Sequence, residues 1–337
     1  MTAVRAENRQ SPDGPQSQSA VKAKRDPHYL ALRNFAISIS VFNIFGYTLL
    51  GFEQAWIFPV YSVITAYATE IALESVAAWA AHRRPRYLGN GVRGVYEFLL
   101  PAHITALAVN MLIYTNNQVG PVIFGAMVGV SGKYLFQAPI KGRMRHFMNP
   151  SNLGIVAVLV LFSDWVAIAQ PYEFVENANQ FFKIMVPIII LTAGTVLNAT
   201  LTKRTALIVG FMGGFAIQAF FRHWIWDVSL FSALGVMTNV PFVLFANYMI
   251  SDPGTTPSKP RPQFMFGGAV AFIYGTLMEF NIVYTLFFAT AIVCAIRGGG
   301  WWAVYLYNRR RSREQDLERE LNTAQEGANP GAEPLAV

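Results

Sequence analysis

The sequence predicts an all-α integral membrane protein of about ten transmembrane helices, with both termini on the cytoplasmic side. Three observations lead there. Charged residues make up 13% of the 337 residues and hydrophobic residues 53%, whereas a soluble domain is about 25% charged. The charges crowd into the two ends and a few short connections, and between them lie apolar runs approaching the roughly 20 residues that a bilayer core requires of a helix. When those runs are counted as crossings, 24 of the 26 Lys and Arg residues fall on one side, the asymmetry expected of cytoplasmic loops. An ordinary soluble enzyme and a disordered chain are thereby excluded. A bacterial outer-membrane barrel would show alternating ten-residue segments instead.

In chain order, residues 1–33 are Gln/Ser/Pro-rich and then basic, and read as a disordered cytoplasmic tail with no cleavable signal peptide. Residues 34–303 form the membrane domain. Its spans are expected at about 34–52, 55–80, 98–114, 119–137, 152–169, 182–200, 205–221, 229–250, 264–280 and 282–297, the last two being open to reading as a re-entrant pair. Residues 304–337 form a charged cytoplasmic tail whose alternating signs suit a solvated helix, ending in a disordered GANPGAEP segment. Only Lys183 and Arg222 fall outside, together with Glu53, Glu173, Glu176 and Asp227. Tyr172, Trp224 and Trp226 stand where an aromatic belt would lie. The net charge of +7 therefore reports orientation in a bacterial cell membrane, and no nucleic-acid partner is implied. With Cys294 as the one cysteine, no internal disulfide, CxxC pair or cysteine-ligated metal site can form.

Two segments concentrate the chemistry. In 131–154, Lys133 ends a span, a compact loop carries Lys141, Arg143, Arg145 and His146, and Asn149-Pro150-Ser151-Asn152 opens the next helix. Asn is a favoured cap and Pro suits the first turn. A helix start flanked by cations suits a phosphate or a flavin head group. The same residues also read as a positive-inside loop with an ordinary cap. In 247–262, Asp252-Pro253-Gly254 is a turn signal in a Pro-rich loop on the same predicted side. Lys133, Lys141, Arg143, Arg145, His146, Asn149, Asn152 and Asp252 form the candidate cofactor-binding set.

Within the spans, Glu70 and Glu74 stand four residues apart on one helix face. They suit a Na⁺ or proton pathway, or pairing with an embedded cation such as Lys133. Asp164 reads as interfacial and His103, after Pro101, as a satisfied core residue. Gly125/Gly129 and Gly210/Gly214 read as small-residue packing pairs. Gly89–Gly94 matches GxGxxG, but no strand precedes it, so it is no dinucleotide site. No HExxH, P-loop or Ser–His–Asp arrangement appears, and the sequence names no catalytic or metal-binding residue.

The run Ser131-Gly132-Lys133-Tyr134-Leu135-Phe136, then Gly142-Arg143 and His146-Phe147-Met148-Asn149-Pro150, resembles the corresponding stretch of the NqrB/RnfD family of membrane electron-transport subunits. So does the later Asn247-Tyr248-Met249-Ile250-Ser251-Asp252-Pro253, followed by a span, a Glu279-Phe280-Asn281 break and a last span with an Arg-rich tail. The likeness covers roughly 120–310 and is nearest to the UnbU-type membrane proteins encoded beside enediyne polyketide synthases. It implies a non-covalent flavin (FMN or riboflavin) or a quinone nearby. Implied partners are the lipid bilayer, other membrane or redox subunits, and enediyne biosynthetic enzymes. Family members used in electron transport join FMN to a threonine in the loop after the Asn-Pro helix. Here that loop, AQPYEFVENANQ, has neither Ser nor Thr, and Thr192-Ala193-Gly194-Thr195 lies inside a span. A redox subunit, an accessory protein of enediyne biosynthesis, and a non-redox transporter or scaffold therefore all remain open.

Overall fold

The computed structural model describes residues 27–89, 91–140, 142–174 and 176–328. The expected tail over 1–26, Lys141 and the last nine residues lie outside them. The described chain is almost entirely helical. Helix α1 (Pro27–Phe45) runs into a π-turn at Gly46–Leu50, and α2 (Phe58–Ala80), α3 (Gly91–Leu112) and α4 (Val119–Leu135) follow. A short hairpin, β2 (Gln137–Ile140) against β3 (Arg143–His146), leads to α5 (Pro150–Leu161). Two residues of β1 (Ile113–Tyr114) pair with β4 (Ala167–Ile168) at the other end. Then come α6 (Gln180–Leu197) with a π-turn at Asn198–Thr202, and α7 (Thr205–Trp226). The short α8 (Leu230–Gly235) and α9 (Val240–Leu244), with a π-turn at Phe245–Met249, precede α10 (Pro260–Glu279) and α11 (Thr285–Ala328).

Five helical stretches are long and apolar enough to cross a membrane: Tyr29–Leu50, Gly91–Leu112, Gln180–Thr202, Thr205–Trp226 and Thr285–Leu321. The pair Leu230–Thr238 and Val240–Met249, bent by 63°, makes a sixth if taken as one span. These are compatible with a multi-pass membrane protein. Each of the ten expected segments contains a helix, yet α4 and α5, at 17 and 12 residues, are short, and α2 carries two carboxylates in its apolar run.

Two expectations are corrected. Span five was expected over 152–169, but α5 stops at Leu161. The polar Ser163-Asp164 turn breaks it, Asp164 is exposed, and residues 167–168 extend to pair with β1. Residues 27–33, expected in a disordered tail, are the first turns of α1, opened by Pro27. The solvated helix expected of the charged tail is continuous with the last span: α11 runs unbroken to Ala328, its outer part exposed and rich in both signs of charge.

The core gathers on α3, whose residues from Thr105 to Leu112 are all buried. Helices α2, α4 and α5 pack around it, while α7 and α10 form a second close pair. Small residues set these distances. A Cβ on Gly154 of α5 would stand 2.3 Å from the Gly125 carbonyl oxygen of α4, and one on Gly267 of α10 would stand 2.2 Å from the Leu207 carbonyl oxygen of α7. In hydrocarbon, where helices gain little by burying apolar area against one another, such close backbone approach supplies the packing. Helix α6 shows the complementary face, with Ile184, Ile188, Ile189, Leu191 and Val196 all exposed, as lipid contact permits.

Gly267→Ala should lower stability by about 1–3 kcal/mol through overpacking, read as a lower melting temperature in detergent. Gly213→Ala, where a Cβ meets nothing within 4 Å, should leave it unchanged or slightly higher.

Candidate functional site

The buried residues of α2 recur mostly at four-residue intervals, as Ser62, Ala66, Glu70, Glu74 and Ala78. This stripe turns both carboxylates towards α3 and α4. Glu70 is 4% exposed and forms an ion pair with Lys133 Nζ at the end of α4, while the Tyr134 hydroxyl donates to its other oxygen at 3.1 Å. Glu74 is fully buried and accepts from Arg83 at 2.5 Å, from Arg86 Nε and Nη2 at 2.9 and 2.7 Å, and from the Arg86 backbone N–H at 2.9 Å. The Glu74 carboxylate raises the Arg86 guanidinium further above its ordinary value, and the guanidinium lies over the Phe98 ring. Each carboxylate thus has its own cation. Of the two readings of this face, the pairing with an embedded cation is the one present: Lys133 pairs with Glu70, while Glu74, one turn on, pairs with Arg83 and Arg86.

At this same end the two motif segments meet. The Asn149 side chain caps α5 by accepting from the Asn152 backbone N–H at 2.9 Å, and its amide donates to the Met249 carbonyl at 3.0 Å. Asn152, 1% exposed, donates to the Phe287 carbonyl of α11 at 3.0 Å. Gln137 opens the hairpin and receives the Trp302 indole N–H on its carbonyl at 2.9 Å. Phe147 lies against Gly298, where any Cβ would enter its ring. His146 faces Gly254 of the later loop. Burial pushes its imidazole below the ordinary range, against the pull of the Asp252 carboxylate.

The loop over 252–256 is held from both sides. Asp252 accepts from the Gly254 N–H at 3.0 Å and the Thr255 hydroxyl at 2.9 Å. Arg204, 7% exposed, donates to the Thr256 hydroxyl at 2.9 Å and the Pro253 carbonyl at 3.2 Å. Arg297 donates to the Thr255 carbonyl. Neither arginine has a carboxylate within ion-pair distance among the described residues. Two guanidinium groups and a half-buried imidazole therefore border one loop whose own carboxylate, Asp252, acts on Arg204 and His146.

The expected anion site at the start of α5 is not assembled. Lys141 lies outside the described residues, Arg143 and Arg145 lie on an exposed strand with no ion pair among the described residues, and Asn149 and Asn152 are buried and engaged with the chain's own backbone. The reason is solvation: β3 is exposed from Arg143 to Arg145, which leaves its arginines in water, and a buried asparagine must find partners inside. Of the predicted set, the structure brings together His146, Asn149, Asn152 and Asp252. Arg204 and Arg297 replace the hairpin arginines. Both had been read only as orientation charges, although an arginine inside the apolar AIVCAIRGGG run was a signal. At the far end, Glu279 of the predicted break pairs with Arg222, tying α10 to α7. No protein-family model matches the chain, and no curated protein sequence matches it either.

Lys133→Met strands a buried carboxylate and should cost about 3–5 kcal/mol, read as a fall in melting temperature in detergent. Lys133→Met combined with Glu70→Met should recover most of that loss.

Proposed function

We propose that the chain is a ten-span protein of the bacterial cell membrane with both ends in the cytoplasm. In this reading it is related to the NqrB/RnfD electron-transport subunits and serves enediyne natural-product biosynthesis as an accessory redox or transport protein. The observation that carries the reading is the meeting of the two motif segments. The stretches that resemble the family lie about 100 residues apart, yet Asn149 donates to Met249 and His146 faces Gly254. A likeness confined to two unrelated surface turns would have no reason to produce one joint structure.

The crossing number rests on the apolar runs of the sequence and on its charge asymmetry. Helices α4 and α5 are then shorter than the bilayer, with the hairpin and the β1–β4 pair at their ends. The flavin or quinone of this reading is held non-covalently beside the 252–256 loop. Arg204 and Arg297 supply positive charge and His146 a neutral ring. The flavin would supply electron transfer, and these residues would bind and orient it. Glu70 and Glu74 belong to the ion side of the reading.

A second reading, a non-redox transporter or scaffold, is favoured by one observation: the loop that would carry a covalent flavin has neither Ser nor Thr. The two readings part on a simple assay. Protein purified in detergent should release flavin or quinone on denaturation, and Arg297→Gln should lower the amount retained at least tenfold. Colourless, quinone-free protein would leave the transporter or scaffold reading.

A further inference from the structure

Helix α11 is far longer than a bilayer needs. It has 44 residues, where about 20 cross the hydrocarbon core. Its inner part packs against α5, α10 and β2. There Gly298 lies against Phe147, Arg297 donates to the Thr255 carbonyl, and the Trp302 indole donates to the Gln137 carbonyl at 2.9 Å. Beyond this anchorage the residues from Trp302 to Leu321 are all exposed. No proline interrupts the helix, so the outer part is a stalk continuing the last span rather than a separate helix laid on the surface.

The stalk does not account for its own helicity. A helix of this length in water is marginal unless one face is packed. Like charges stand four residues apart at Arg309/Arg313, Glu314/Glu318 and Asp316/Glu320, which opposes helix formation. None of its charged side chains forms an ion pair among the described residues. One face is nevertheless patterned. Ile296, Gly300, Ala303 and Tyr307 alternate four and three residues apart, the spacing of a coiled-coil seam, and all are exposed. A Cβ on Gly300 would meet nothing within 4 Å. The same alternation runs on through Arg310 and Glu314 to Leu317 and Leu321, which are 59% and 60% exposed.

We propose that this face pairs with the same face of a second copy of the chain, as a parallel two-stranded coiled coil rising from the membrane. Two copies in one bilayer raise their stalks on the same side, so the helices run parallel and level with each other. In that register Arg313 flanks the seam opposite the partner's Glu318, and the two-fold symmetry makes this contact twice. Arg310 and Glu314 occupy successive seam layers with opposite charge, a polar step that fixes the register. Gly300 admits close approach of the two helices where they leave the bilayer. The inference rests on the membrane-spanning part of the reading above and not on its redox part.

The test uses full-length protein in membranes of the expressing cells, with single cysteines on a Cys294→Ala background and a short bis-maleimide. Leu317→Cys and Leu321→Cys should give a crosslinked dimer. Asp316→Cys and Arg319→Cys, turned away from the seam, should stay monomeric. Adding Arg313→Glu should lower the Leu317→Cys dimer about threefold or more, because both flanking contacts become repulsive, and adding Glu318→Arg to that variant should restore it. Retention of the protein after an alkaline carbonate wash tests the spanning reading separately. Loss to the wash would overturn that reading, while the cysteine pattern still decides the pairing. Monomer at both seam cysteines, equal dimer at all four positions, seam cysteines joined to a different protein instead, or no recovery in the double charge variant would each overturn the inference.

Discussion

The structure depends on one constraint: an ionisable or amide group inside an apolar bundle must find its partner within the protein. Glu74 satisfies it with two arginines and a backbone N–H, Glu70 with a lysine and a tyrosine, and Arg222 with Glu279. The pairs of Glu70 and Arg222 join elements distant in sequence, and those of Glu74 fold the following loop back onto α2, so the charges act as fasteners as well as costs. The ion pair of Glu70 draws the end of α4 onto α2. The pair of Arg222 closes α7 on α10, where glycines already bring the backbones together.

The same constraint shapes the junction of the two motif segments. Asn149 and Asn152 are buried, and each exhausts part of its hydrogen-bonding capacity on a carbonyl of another segment. This fixes where α5 begins relative to the π-turn at Phe245–Met249 and to α11. π-turns recur at functional positions in helical proteins because they free carbonyls and redirect side chains. Here one such turn presents the Asn247 carbonyl to Asn198 at 2.7 Å and the Ser251 hydroxyl at 2.6 Å. Arg204 and Arg297 hold the loop at this junction from either side, with the Asp252 carboxylate acting on Arg204.

Much of this was legible in the sequence. The apolar runs located a helix in every expected segment, because hydropathy over twenty residues is a coarse and additive signal. The Asn-Pro start of α5 was legible to the residue, since a cap is a local interaction. The alternative weighed for Glu70, pairing with Lys133, could be stated because charge leaves few choices in hydrocarbon. What was hidden is long-range. The exposure of Arg143 and Arg145 follows from the hairpin's position, which no local pattern encodes. Arg204 and Arg297 gained their place from the loop at 252–256, far away in the chain. The early end of α5 depends on β4 finding β1, a pairing of two residues that leaves no periodic trace.

The central claim is that the cationic connections all face one side of a bilayer crossed by the apolar helices. It is tested most directly by accessibility of single cysteines on a Cys294→Ala background, in intact cells, with a membrane-impermeant maleimide. The account predicts labelling of Glu53→Cys and Asp227→Cys from outside. It predicts labelling of Arg84→Cys, Lys203→Cys and Lys259→Cys only after the membrane is made permeable. Labelling of any of these three in intact cells, or protection of Glu53→Cys and Asp227→Cys there, would contradict it.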